Sequence, residues 1–349
     1  MAFFDITKIR GLKVDLEYDC DLIEFKCWAS AEKRITLGGI TDQLDDESNL
    51  TDNNSEVDDA VELPLGIDLL LKGPDDTSSE SGQPLTSVSD SESRAAQILA
   101  QLKVRKTKFE DSYPFEIDGN QVVFKSKVSP LQNLYLSLLS SSLLKITSAK
   151  GTNSLGHKFE HLSSLAVKNS TPARAKKHLI GSGAIAGGIF GNRFKDKVEQ
   201  IAKCLNVHLR DRYLEEISKH NNGDGGLDWF VFQSFTNDPE SHFWYGFVQC
   251  ACGENWEDKQ SEAHEIRWNK ILQWDNPPNT LFITPKSLRK NDWKFSHYTK
   301  IGSGIIFFDR FRFIELAKHH KPEEIDVLLT AHYKEVFEEI ENLNLSVGD

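Results

Sequence analysis

The residues best placed to do chemistry are Asp228 and Gln249. Asp228 ends the run Gly223-Asp224-Gly225-Gly226-Leu227-Asp228 and opens the strand-like segment LDWFVFQSF. Gln249 lies 21 residues further on, near the end of the next such segment, HFWYGFVQCAC. Neighbouring strands run ~4.8 Å apart, so an Asp at the mouth of one and a polar side chain on the other can converge. Carboxylate, amide and backbone carbonyl oxygens are hard ligands, suited to Mg2+, or to Mn2+ in its place, rather than to zinc. The glycines ahead of Asp228 let a phosphate backbone come close. The plain structural alternative is that DGGLD is a turn and Gln249 only a strand end.

The pattern GDGGLDW…FVQCA resembles the core of the PD-(D/E)xK nuclease superfamily in its Mrr-like restriction endonuclease form. There a Gly-rich segment with Asp precedes a strand and a Gln-x-Lys. The resemblance covers roughly residues 150–285. It implies Asp228 as the metal-binding carboxylate, Gln249 as a neutral second ligand and an acidic residue on a preceding helix as the third. Glu160, in GHKFEHLSSLA, fits that place, with Glu199 in reserve. One position departs from the pattern: Ala251 stands where the lysine belongs. Lys259, in ENWEDK, is the residue that would supply the ammonium instead. The resemblance therefore implies a metal-dependent DNA endonuclease of a restriction or antiphage defence system. Its partners would be DNA and an ATPase or other defence subunit, in an oligomer or hetero-complex. Without a working lysine the alternative is a degenerate nuclease-fold subunit that binds DNA or scaffolds such a complex.

Other motifs compete. His157, Glu160 and His161 form H-x-x-E-H, with two histidines one helical turn apart, which is the pattern of a zinc hydrolase. No third ligand is evident. Cys250 and Cys252 share one strand face, as expected of buried packing. GSGAIAGGIFG lacks the GK[ST] ending of a phosphate loop and reads as a connector. Three basic clusters could neutralise phosphates: Lys103/Arg105/Lys106/Lys108, Arg174/Lys176/Lys177 and Lys286/Arg289/Lys290. Six of seven tryptophans lie between Trp229 and Trp293, mostly at core-like positions.

The elements that must position these residues follow from composition and periodicity. The 349 residues carry a net charge of −12, but residues 41–95 hold 15 acidic and two basic residues, leaving the rest near neutrality. An acidic chain as a whole can therefore still present basic patches. Residues 41–60 and 73–93 have too little apolar surface to repay ordering and are expected to be disordered loops. ELPLGIDLLLKG between them reads as a strand. A helix capped at Ser91 or Ser93, a hairpin at PFEIDGNQVVFK and a helix from Pro130 follow. SLGHKFEHLSSLAVKN, FKDKVEQIAKCL and WEDKQSEAHEIRWNKIL are expected helices, TLFITP and GSGIIFFD strands, and two helices close the chain. The expected fold is α/β (α+β): a restriction-endonuclease-like mixed sheet flanked by helices, with a separate N-terminal region. Residues 1–112 form that region and 113–349 the rest, with a nuclease core over about 150–320. Five scattered cysteines, no apolar run of ~18 residues and no signal-like start point to a cytoplasmic protein away from membranes.

Overall fold

The computed structural model describes residues 2–5, 8, 15–48, 88–181, 190–191, 193–210, 212, 214–215, 225–234, 244–274, 276–343 and 345. The first elements are α1 (Leu16–Ala29), β1 (Arg34–Thr36), α2 (Leu37–Ser48), α3 (Val88–Phe109) and the hairpin β2 (Phe115–Asp118)–β3 (Gln121–Phe124). Next come α4 (Pro130–Ser142), α5 (Ala149–Leu162), α6 (Ser164–Ser170), β4 (Lys176–Leu179), α7 (Phe194–Leu205) and β5 (His208–Leu209). They are followed by β6 (Trp229–Gln233), β7 (Trp244–Cys250), α8 (Trp256–Lys259), α9 (Glu265–Trp268), β8 (Leu272–Gln273) and β9 (Asn279–Ile283). The chain closes with β10 (Ile305–Phe308), α10 (Arg310–Ala317), α11 (Pro322–His332) and α12 (Lys334–Asn342).

The central sheet has the order β10-β9-β7-β6-β4. Strands β4, β6 and β7 run antiparallel to their neighbours, whereas β7, β9 and β10 run parallel. It is thus a mixed sheet, and helices cover both faces. Val248 and Cys250 of β7 face the large cluster holding Leu155, Phe159 and Leu162 of α5. Tyr245 and Phe247 face Phe194, Val198, Ile201 and Leu205 of α7. Each of those four α7 side chains contributes about 1.5–3 kcal/mol on burial. No side chain caps the first turn of α7, and a cap contributes only ~1 kcal/mol. Packing therefore fixes this helix.

Several local expectations hold. The β2–β3 hairpin turns at Gly119 with φ +57°, the left-handed conformation a two-residue loop needs. Ser129 and Gln132 form a reciprocal capping box with Pro130 in the first turn of α4.

Others are corrected. Residues 41–48 belong to α2, whose Ile40 and Leu44 are buried. The α3 helix starts at Val88, ahead of Ser91. The remainder of 41–60 and 73–93, and ELPLGIDLLLKG, lie outside the described residues. Ser163 divides the single helix expected over 154–169 into α5 and α6, and the 256–272 segment forms two short helices, not one. Three helices, not two, follow β10. The N-terminal region is not separate. Phe4, Cys20, Phe25 and Trp28 share one cluster with Val231, Val248 and Leu281 of the sheet. Asp21 on α1 accepts hydrogen bonds from Arg310 at 2.7 and 3.0 Å. A buried ion pair between the two ends of the chain is incompatible with two independent cores.

Candidate functional site

Asp228 precedes β6 and is held by backbone on three sides. Its N–H donates to the Val248 carbonyl at 2.9 Å, and its carbonyl accepts from Ile180 and Gly181 at 2.8 and 3.0 Å. Its Oδ2 accepts from the Cys250 N–H at 2.6 Å. The turn leading into it runs through Gly225 and Gly226, at φ +69° and +75°, a conformation glycine adopts without strain. Gly223 and Asp224 lie outside the described residues. Trp229 pairs with Val248, so the same register sets Asp228 opposite Gln249 on one face of the sheet.

Glu160 arrives from α5. The Trp229 indole N–H donates to the Glu160 carbonyl at 3.1 Å and to Ser163 Oγ at 2.8 Å. The residue next to Asp228 therefore also anchors the backbone of Glu160. The two carboxylates meet at Gly181: a Cβ there would lie 2.6 Å from Asp228 Oδ1 and 2.8 Å from Glu160 Oε2. Any side chain at 181 would displace both oxygens. Glu160, Asp228 and Gln249 are 8%, 5% and 4% exposed, and the Gln249 Oε1 has no hydrogen-bond partner among the described residues. A buried amide oxygen without a donor costs about 1–3 kcal/mol. Two carboxylates and an orphaned amide oxygen fit a hard divalent cation.

The thiols of Cys250 and Cys252 report the local charge. Burial pushes both up, and the Asp228 and Glu160 carboxylates push them further. Lys259 and Lys286 act on Cys252 in the opposite direction. Lys259 is half-buried and makes no ion pair among the described residues. Lys286 is held by Glu254 at 3.1 Å. Protonated, buried thiols are packing groups, as expected from the sequence.

Ala251 is 1% exposed and packs with Trp256, Phe282, Leu288 and Phe307. The position where the resemblance puts a lysine thus faces an apolar cluster. Lys259 stands one turn beyond Trp256, on α8. Glu199 is paired loosely to Lys195 on the exposed side of α7, at 3.8 Å, and has no part in the arrangement.

The remaining sequence candidates disperse. His157 is exposed, Glu160 turns to Gly181, and His161 stacks on His332 at 4.4 Å. Among the described residues no cluster of three or more His, Cys, Asp or Glu ligand atoms includes His157 or His161. Arg105 is not a phosphate contact: it is fully buried and bonds Asp21 at 2.6 Å and Glu24 at 3.1 Å. Lys106 pairs with Glu116 at 2.6 Å, and Lys103 is exposed. In the third cluster Arg289 is likewise consumed, by Asp309. Arg174 and Lys176 are exposed, and Lys176 lies over the Phe232 ring. Lys177 donates to the Ala175 carbonyl at 3.0 Å, and its pKa is lowered by partial burial and by Lys168. Lys176 sits three residues from the Asp228 end of β4, ~10 Å away.

Sequence reasoning missed Gly181 and saw Lys286 only as part of a basic cluster. Gly181 had a signal, since it opens the glycine-rich run; residues 182–189 of that run lie outside the described residues. Among the described residues no helix is long and apolar enough to cross a membrane. Comparison of the chain with family models, with curated proteins and with solved structures finds no match.

Proposed function

We propose that this protein is a metal-dependent endonuclease acting on DNA, with Asp228, Glu160 and Gln249 as the metal-binding set. The observation that carries the proposal is the convergence at Gly181. Two carboxylates from separate elements approach one point, and on the strand beside them lies a buried amide oxygen without a partner among the described residues. The resemblance to PD-(D/E)xK nucleases was carried by Asp228 and Gln249, and the mixed sheet flanked by helices is consistent with it. In this reading Asp228, Glu160 and Gln249 would hold Mg2+, or Mn2+ in its place, which would supply water activation and charge neutralisation at a scissile phosphate. Asp228 is oriented by the Cys250 N–H, and its Oδ1 reaches the point at Gly181 that Glu160 Oε2 also approaches. Lys259 holds a positive charge where the leaving oxyanion develops, the role that Ala251 cannot fill. Restriction or antiphage defence, an oligomeric or hetero-complex state and a cytoplasmic setting belong to the same proposal.

The test is nicking of supercoiled DNA with Mg2+ or Mn2+, by wild type and by Asp228→Asn. The expected result is metal-dependent nicking that Asp228→Asn abolishes with its melting temperature nearly unchanged. Equal rates in both proteins would discard the site. The burial of Ala251 favours a second reading, a degenerate nuclease-fold subunit that binds DNA without cutting it. That reading is favoured if wild type retards DNA yet stays inert with either metal.

A further inference from the structure

A pocket of about 320 Å3 opens between α6, α11 and the strand β4 at the edge of the central sheet. Leu165, Val167, Trp229 and Leu328 give it apolar walls, and Lys168 and Lys177 stand at its rim. Small-molecule sites measure ~300–1,000 Å3 and combine apolar walls with a few polar groups in the same way.

The charges round this pocket do not balance. Glu324 supplies the one carboxylate of the lining, and it is already taken. It accepts from Lys168 at 2.8 Å and lies 3.0 Å from Nδ1 of the buried His320. The other nitrogen of that ring faces the Leu165 carbonyl at 2.9 Å, so His320 is held between α6 and α11. Lys177 is different. It is half-buried, and its ammonium donates to the Ala175 carbonyl at 3.0 Å. It has no carboxylate partner among the described residues, and the charge that acts on it is a second cation, Lys168. A partly desolvated ammonium with one neutral acceptor lacks the counter-charge that burial calls for.

Trp229 limits what the occupant can be. Its indole N–H is committed to the Glu160 carbonyl and to Ser163 Oγ, so its ring offers the pocket apolar surface and no donor. Lys177 is a point charge without the fork of an arginine, so a single anionic group satisfies it. We infer that this pocket binds a small anion with an apolar body about two fused rings in size. The body sits against Leu165, Val167, Leu328 and Trp229, and the anionic oxygen meets Lys177. The occupant thus touches the ring that anchors the backbone of Glu160.

The test titrates three probes into the full chain. 1-Naphthoate has both features, 1-naphthalenemethanol has the rings without the charge, and acetate has the charge without the rings. The readouts are calorimetry and the Trp229 indole N–H resonance, identified by its loss in Trp229→Phe. 1-Naphthoate should bind and shift that resonance, and the other two probes should each bind about tenfold more weakly or worse. Lys177→Gln should weaken 1-naphthoate about tenfold and leave 1-naphthalenemethanol unchanged, whereas Leu328→Asn should weaken both. Should Leu328→Asn fail to fold, Lys177→Gln still decides the matter, because that side chain is half-exposed. Equal affinity for 1-naphthoate and its neutral analogue overturns the inference. So does 1-naphthoate binding that leaves the Trp229 resonance in place or survives Lys177→Gln undiminished. No binding of 1-naphthoate at millimolar concentration overturns it too. None of these readouts is nicking, so this inference and the nuclease proposal fail separately.

Discussion

Gln249 shows at the scale of one residue how function and stability oppose each other. Its amide oxygen is buried without a donor among the described residues, at a cost of about 1–3 kcal/mol. Leu has a similar shape and no acceptor to orphan. Gln249→Leu should therefore raise stability by about 1 kcal/mol, read as a higher denaturant midpoint, and should remove Mg2+-dependent nicking. A Gln249→Leu protein that is less stable would mean the amide is satisfied. Asp228 and Gln249 were legible because period-2 alternation and a glycine turn put them at matching strand ends. Arg105 was also legible, though its charge hid it: Ile98, Leu102 and Phe109, all buried, lie at helical spacing from it, so Arg105 belongs to the apolar stripe of α3. Its partners Asp21 and Glu24 lie more than 80 residues away, beyond any local pattern.

Among the elements, α1 was the hardest to foresee. Twelve of its 14 residues are buried, including Asp19, Asp21, Glu24 and Lys26, so it has no polar face to mark it as a helix. The α5–α6 break was similarly silent, because a tertiary contact makes it: the Trp229 indole bonds Glu160 and Ser163 where α5 ends. Trp229→Phe keeps the ring and deletes those bonds. It should cost about 1–2 kcal/mol and slow nicking more than it weakens DNA retention, because it loosens Glu160. Unchanged nicking would show that the indole does not position the carboxylate.

The contact between α5 and α11 also sets a pH dependence. The pKa of His332 is lowered from 6.5 by burial, by His161 stacked on it and by Lys158. The unfolded chain therefore takes up this proton more readily than the folded one. The stability His332 supports is complete above pH 6.5 and is lost as pH falls through the depressed folded value. His332→Phe should flatten that part of the stability–pH curve, measured by urea midpoints between pH 7 and 5. A curve as steep as wild type's would assign the dependence to another group.

Over the whole molecule the governing feature is a buried network of two acids and two arginines. Burial alone would raise the pKa of Asp21, but Arg310 and Arg105 hold it below its usual value. Tyr113 and Tyr135 donate to Glu24 at 2.7 and 2.8 Å, and Ser142 donates to Asp21 at 2.7 Å. The charges balance, and most of their bonding capacity is met. Such a network need not add net stability, because replacing all of it by apolar groups can be neutral or better. Removing one side of it is different. A chain of residues 113–349 alone would keep Arg310 but lose Asp21, Glu24 and Arg105. It would also bare the faces of α4 and α12 that pack against α1. A buried charge stripped of its partner costs about 3–5 kcal/mol, a large share of the ~5–15 kcal/mol that holds a domain folded. The 113–349 chain should therefore show no cooperative thermal transition, although it contains every residue of the Gly181 site. Co-expression with residues 1–112 as a separate chain should restore the transition, because the partners are then supplied again. A truncated chain that melts cooperatively by itself, near the full-length temperature, would prove the N-terminal region an accessory rather than half of the core.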